Sequence, residues 1–219
     1  MNEFESEIPN IRIRNIGTRR NPLEMVEASM VLEAWDGYLY KHMENGREIK
    51  DKKVTFIFSC YRGNNAEDCR DEINAYNYLL KNQSEVRDSI IGALREKFDW
   101  LKENYQWDQE DSFTPDTKAD FDFKPFIGPL SVTFVEESKN DIAYLEWHFQ
   151  CEWDPEHGLA FSTHGTRVID IDQGYTDIWK IYEDKGTLAE ELKEYEERAK
   201  NAKMKIQKTK IQKRWWKFW

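Results

Sequence analysis

Three acidic or imidazole side chains crowd one short stretch of this chain, Asp154-Pro155-Glu156-His157-Gly158. Carboxylate and imidazole groups at that spacing have the chemistry of a metal site or of an acid–base pair. Two further histidines, His148 and His164, lie on either side of the same stretch, and their fit depends on how the flanking segments pair. His42 has no neighbour in sequence that would join it. Cys151, Cys60 and Cys69 are the only thiols. Cys60 and Cys69 have no local histidine to activate them, and Cys151 falls on the apolar side of its own alternation, where a thiol is inert. For each group a plainer role stands beside the chemical one. Asp154 has the position of a turn-capping carboxylate bonded to amides near His157, Glu156 that of a solvated tip, and His148 with His164 that of a cross-strand polar pair. The site chemistry therefore rests on the elements that hold these residues.

Leu145, Trp147, Phe149, Cys151 and Trp153 alternate with Tyr144, Glu146, His148, Gln150 and Glu152, which is the period of a strand with one buried face. Asp154-Pro155 opens a turn that Gly158 closes, and Leu159 and Phe161 begin a returning strand. A loop symmetric about Glu156 would pair 153 with 159 and 151 with 161, setting His148 opposite His164 and Gln150 opposite Ser162. Only shifts by an even number of residues keep both apolar sets on one face. In that geometry His157 stands too far along the strand from His148 for all the groups to share one ion, at about 3.3 Å per residue.

Upstream, Ile11-Arg12-Ile13 alternates as a short strand, and strands are expected over Ser29–Tyr40 and Lys53–Tyr61, the latter burying Val54, Phe56, Phe58 and Cys60. Asn45-Gly46 suggests a hairpin that makes these two antiparallel neighbours. From Glu67 the period changes: Ile73, Tyr76 and Leu80, then Ile90, Leu94, Phe98, Leu101 and Tyr105, recur three and four apart. These are two core-packing helices separated near Asn82–Ser84, with Ser84 the expected N-cap. Trp107–Pro129 has no period and is expected as a long loop. Leu130–Val135 starts a strand that turns at Lys139-Asn140-Asp141, and Arg167–Ile171 continues the sheet, with Trp179 and Tyr182 returning to the core.

Thr187 and Glu190 have capping-box spacing. Leu188, Leu192, Tyr195, Ala199, Ala202 and Ile206 then follow at alternating spacings of four and three, the seam of a long amphipathic helix. The fold class is α+β: an antiparallel sheet packed against helices, with a long C-terminal amphipathic helix. Residues 1–185 form one α+β domain, and 186–219 form the helix and a basic aromatic tail.

The net charge of −10 conceals an asymmetry. Nine of the 32 basic residues and none of the 42 acids lie between Arg198 and Trp219, so the remaining chain carries 23 basic against 42 acidic residues, a net of −19. That body repels nucleic acid and attracts basic partners. The tail Lys213-Arg214-Trp215-Trp216-Lys217-Phe218-Trp219 leaves three uses open: docking on the acidic body or a second copy, insertion of Trp215, Trp216 and Trp219 into an anionic membrane interface, and stacking on nucleic acid. Three scattered cysteines suggest reduced thiols and a cytoplasmic address. Glu3, Glu5 and Glu7 stand where a secretory signal would be basic and then apolar. No Gly-rich phosphate loop, zinc knuckle or nucleophile elbow occurs, and no cofactor or metal is expected.

The stretch Cys151-Glu-Trp-Asp-Pro-Glu-His-Gly-Leu159, followed by His164-Gly165 and Val168, resembles an uncharacterised bacterial domain family defined by a W-D-x-E-H-G-L motif. Glu72-Ile-Asn-Ala-Tyr-Asn-Tyr-Leu-Leu80 shares the likeness, which spans about Val31 to Asp172 and excludes the tail. That family is a domain of unknown function, so the resemblance implies no reaction. It is reminiscent of small acidic immunity proteins that neutralise toxins by binding, which implies a protein partner such as a basic toxin. The acidic surface, with the Asp154–Gly158 turn or the Trp107–Pro129 loop, would hold that partner, and Asp154, Glu156, His157, His148 and His164 are the candidate binding residues. The competing reading is a metal-dependent hydrolase using the Asp154–His157 turn or the His148 and His164 pair. A third is a peripheral membrane protein anchored by its tail.

Overall fold

The structure, a computed structural model, describes residue 8 and residues 12–15, 24–39, 42–44, 47–49, 52–58, 69–107 and 121–215; within these, the side chains of 12–15, 24–25, 42–44, 47–49 and 206–215 are not described. The chain divides into two compact units, Met1–Asp177 and Ile178–Trp219.

The first unit is α+β. Strands β1 (Arg12–Asn15), β2 (Glu24–Val31), β5 (Lys53–Phe58), β6 (Ile127–Lys139), β7 (Ile142–Cys151), β8 (Leu159–His164) and β9 (Arg167–Gln173) form one sheet in the order β1-β2-β5-β6-β7-β8-β9. Every neighbouring pair is antiparallel except β5 with β6. Helices α1 (Arg70–Lys81) and α2 (Gln83–Tyr105) lie in the connection between those two strands. A parallel pair requires such a crossover, which returns the chain to the same end of the sheet.

Period-2 alternation places Phe56, Phe58, Phe134, Trp147, Phe149 and Phe161 on one face, and the helices cover it. Tyr76 of α1 meets Phe56 at 5.7 Å and Phe58 at 6.2 Å, and Phe98 of α2 meets Trp153 at 5.2 Å. Trp35 is fully buried against Trp147 and Phe149. Each such ring contributes about 2–3 kcal/mol of burial before entropy is counted.

Several local expectations are corrected by tertiary packing. The expected Ser29–Tyr40 strand ends at Val31, because Glu33–Trp35 forms a 3-10 turn that drives Trp35 into the core. β2 and β5 are antiparallel neighbours, but Asn45-Gly46, itself outside the described residues, falls between β3 (His42–Glu44) and β4 (Arg47–Ile49), a separate two-stranded sheet. Asn82, not Ser84, is the N-cap of α2, and its side-chain amide donates to the Tyr78 carbonyl at 2.7 Å. β6 begins at Ile127 rather than Leu130, since Leu39 donates to the Ile127 carbonyl at 2.9 Å. Gly128 allows that approach: a Cβ there would lie 1.7 Å from the Leu39 carbonyl oxygen. Cys69 is disulfide-bonded, its partner outside the described residues, while Cys151 is free. Sequence spacing does not reveal which thiols a fold brings within bonding range.

The second unit holds α3 (Ile178–Lys185) and α4 (Leu188–Trp215). Within it Trp179 and Tyr182 pack on each other, and Trp179 also meets Tyr195 at 5.6 Å. The Thr187 hydroxyl has no hydrogen-bond partner, so the expected capping box is replaced by backbone bonds from Glu190 and Glu191 to the Thr187 carbonyl. Among the described residues no helix is long and apolar enough to cross a membrane.

Candidate functional site

The chemistry-bearing turn is wider than its sequence suggests. β7 and β8 pair through Phe149↔Leu159, Trp147↔Phe161 and Leu145↔Thr163, so residues 150–158 form the connection. After Cys151 the chain is tied to other elements. Gln150 and Cys151 pair with Gly128 and Ile127 of β6, and the Glu152 amide donates to the Phe126 carbonyl at 2.9 Å. Trp153 enters an aromatic cluster with Phe98, Trp107 and Phe123.

Asp154 is the hub of this turn. Its carboxylate is buried, 7% exposed. Oδ1 accepts the His157 amide at 3.1 Å and lies 3.1 Å from His157 Nδ1, while Oδ2 accepts the side-chain amide of Gln173 on β9. A buried carboxylate is tolerated when its lone pairs are filled in this way. The Gly158 amide donates to the Asp154 carbonyl at 2.9 Å, as does the Cys151 thiol at 3.4 Å. Gly158 takes φ +67°, and a Cβ there would lie 2.2 Å from the Phe149 carbonyl oxygen. Pro155, Glu156 and His157 are left exposed at the tip.

An aspartate that orients an imidazole is half of a general-base arrangement. The nearest thiol does not complete it, because burial pushes the Cys151 pKa well above the ordinary thiol range, with the Asp154 carboxylate adding to the shift. Next to the turn, the Tyr105 hydroxyl donates to Asp172. Burial, reinforced by that carboxylate, pushes the Tyr105 phenol up to about 12. Among the described residues no group of three or more His, Cys, Asp or Glu side chains is gathered as a metal site would require.

His148 and His164 do not form the expected cross-strand pair. The register differs from the symmetric-loop expectation by four residues, an even shift that preserves the buried face. His148 stands opposite Ala160. Its Nε2 lies 3.9 Å from the Glu146 carboxylate, and its ring meets Tyr175 at 5.7 Å. His164 packs on Tyr144 at 4.6 Å, with Nε2 at 2.9 Å from the Lys139 carbonyl and 3.3 Å from that of Ile142. The expected polar face is also less polar than its alternation suggests, since Tyr144 and Gln150 are buried. Sequence reasoning passed over Glu146, which accepts the amide and hydroxyl of Thr176 at 3.0 and 2.9 Å, and over Asp172 and Gln173. The alternation Asp170-Ile171-Asp172-Gln173 carried a signal for the last two, but their partners are distant in sequence.

A family profile described as a domain of unknown function, DUF6985, matches residues 33–180, more than half of the chain and the whole of the β7–β8 turn. The chain belongs to the DUF6985 family. The DUF6985 segment begins at the 3-10 turn and ends within α3, so β1, β2 and the whole of α4 lie outside it. No curated protein and no solved structure matches the chain. Outside the DUF6985 segment, Trp216, Phe218 and Trp219 of the aromatic tail lie beyond the described residues, as does the side chain of Trp215.

Proposed function

We propose that this DUF6985 protein is a bacterial binding protein of the immunity type, neutralising a basic protein partner through the acidic surface around the β7–β8 turn. The observation that supports this most is the state of Asp154. Its acceptors are filled by the turn's own groups and by Gln173, so Pro155, Glu156 and His157 are held outward on a fixed frame. A preset loop gives up little conformational entropy when a partner docks. The net charge of −19 on residues 1–197 raises the encounter rate with a basic protein and disfavours acidic competitors. A photo-crosslinking amino acid at Glu156, with Glu103 on α2 as the exposed control, tests this in the cells that produce the chain. One basic protein captured from position 156 and absent from position 103 is the expected result. Capture of acidic proteins only, or of nothing, rejects the reading.

For helix α4 we propose a second copy of the chain as partner. Leu192, Tyr195 and Met204 are 42%, 61% and 51% exposed. The first half of the helix carries Glu190, Glu191, Glu194, Glu196 and Glu197, and the second half is basic. An antiparallel pair sets each acidic half against a basic one. Sedimentation velocity should show a dimer that high salt or Leu192→Lys dissociates. A monomer at about 0.1 mM, where a micromolar contact would be nearly saturated, counts decisively against it.

A further inference from the structure

At the opposite end of β7 from the Asp154 turn, helix α1 presents Asn74, Asn77, Tyr78 and Lys81 toward the β6–β7 turn. The spacing i, i+3, i+4, i+7 is that of a single helix face, which is ordinarily apolar where it meets a neighbouring element. Here the face is polar, and with Asn140 and Asp141 it borders a cleft of about 600 Å3.

Both walls are fixed by bonds of their own. The Asn74 side-chain amide donates to the Asp141 carbonyl at 2.8 Å, and the His164 imidazole holds the carbonyls of Lys139 and Ile142. Asn140 and Asp141 take φ of +53° and +59°, the left-handed geometry of a tight hairpin turn that Asn and Asp accept. Gly165 flanks Tyr78, where a Cβ would lie 3.5 Å from the ring.

The groups that line the cleft contrast with those around Asp154. Among the described residues, the side chains of Asn77, Tyr78, Lys81, Asn140 and Asp141 make no hydrogen bond or ion pair within the protein. Lys81 and Asp141, opposite in charge and both exposed, line the same cleft and do not pair with each other. An unpaired cation and an unpaired anion that line one polar cleft match a ligand whose own charges are separated.

We propose that this cleft binds a zwitterion, a free α-amino acid or a short unblocked peptide. Its carboxylate is held by Lys81 and its ammonium by Asp141, with the carboxamides of Asn77 and Asn140 and the Tyr78 hydroxyl bonding between them. The inference does not depend on the partner proposed for the β7–β8 turn.

Glycine, diglycine and triglycine serve as a ruler, since each added residue lengthens the charge separation by about 3.5 Å. They would be titrated into the full chain and followed by amide chemical shifts, with acetate and methylammonium as half-ligands. The expected result is saturable binding by at least one member of the series, with shifts confined to Asn74–Lys81 and Asn140–Ile142. The half-ligands should bind at least about tenfold more weakly. Lys81→Gln and Asp141→Asn alter exposed side chains, and Asn retains tolerance of positive φ, so both variants keep the fold. Each should weaken the preferred ligand by about tenfold or more. No saturation by any of the three at about 50 mM, roughly fifty times a millimolar dissociation constant, would overturn the assignment. So would acetate binding as well as the peptides, or undiminished binding by either variant.

Discussion

Replacing Gly158 with alanine should cost the fold more than the same replacement at Gly174, although both glycines hold a positive φ, +67° and +72°. A left-handed backbone penalises any L-side chain by about 1–2 kcal/mol, and that cost is common to both sites. The difference between them is room. A Cβ at position 158 would lie 2.2 Å from the Phe149 carbonyl oxygen, whereas at 174 the nearest atom, the His157 carbonyl oxygen, is 4.0 Å away. Phe149 cannot easily retreat, because it forms the β7–β8 rung with Leu159 and its ring packs on Trp35 at 5.1 Å and Phe161 at 4.9 Å. Forcing atoms into a close-packed site costs about 1–3 kcal/mol beyond the backbone term. Gly158→Ala should therefore lose about 2–5 kcal/mol and Gly174→Ala about 1–2 kcal/mol. At about 2–4 °C per kcal/mol for a unit of this size, the two melting points should separate by several degrees. Gly165→Ala is a second control: φ is +60°, and its Cβ would meet the Tyr78 ring at an ordinary 3.5 Å, so it should follow Gly174→Ala. Urea unfolding monitored by tryptophan fluorescence, with slopes compared, measures all three. Equal midpoints for Gly158→Ala and Gly174→Ala would refute the steric argument.

Asp154→Ala should destabilise by about 2–3 kcal/mol: about 1 for the lost amide cap and about 1–2 for the stranded Gln173 amide, with little from the exposed imidazole. Asp154→Asn should recover part of this, since its oxygen still accepts the His157 amide; equal losses in urea unfolding would contradict the assigned bonds. Burial and Asp172 raise the Tyr105 phenol to about 12 from an ordinary 10, so its protonated form is favoured by folding. That contribution is complete below pH 10 and is lost as pH rises toward 12, and Tyr105→Phe should remove a step near pH 12 from a tyrosinate absorbance titration. Cys151, buried and with its thiol pKa raised by that burial, should resist a thiol reagent at neutral pH in the folded protein and react on denaturation. Prompt labelling of the native protein at Cys151, read by peptide mapping, would argue against the burial described.

Near-neighbour chemistry made much of this protein legible in its sequence. Period-2 alternation marked β7 and its buried Trp147 and Phe149, three-and-four spacing marked α1 and α2, and Asp154 was recognisable as the cap of its own turn, since each depends on residues a few positions apart. Other features depend on distant partners. The β7–β8 register moved by four residues because Glu152 bonds Phe126 and Trp153 joins the cluster around Phe98, drawing the end of β7 away from β8. That movement separated His148 from His164, and no local pattern encodes it. The cleft beside α1 is of the same kind. Its polar stripe is written in the helix, but its mix of charges exists only where the fold brings Asp141 and Lys81 to one cleft. The sequence by itself determined which faces were apolar and where the chain could turn, because those follow from side-chain period and backbone sterics. Only the tertiary structure decided which polar groups meet, because a sheet accepts every even register shift equally until contacts from elsewhere in the chain select one.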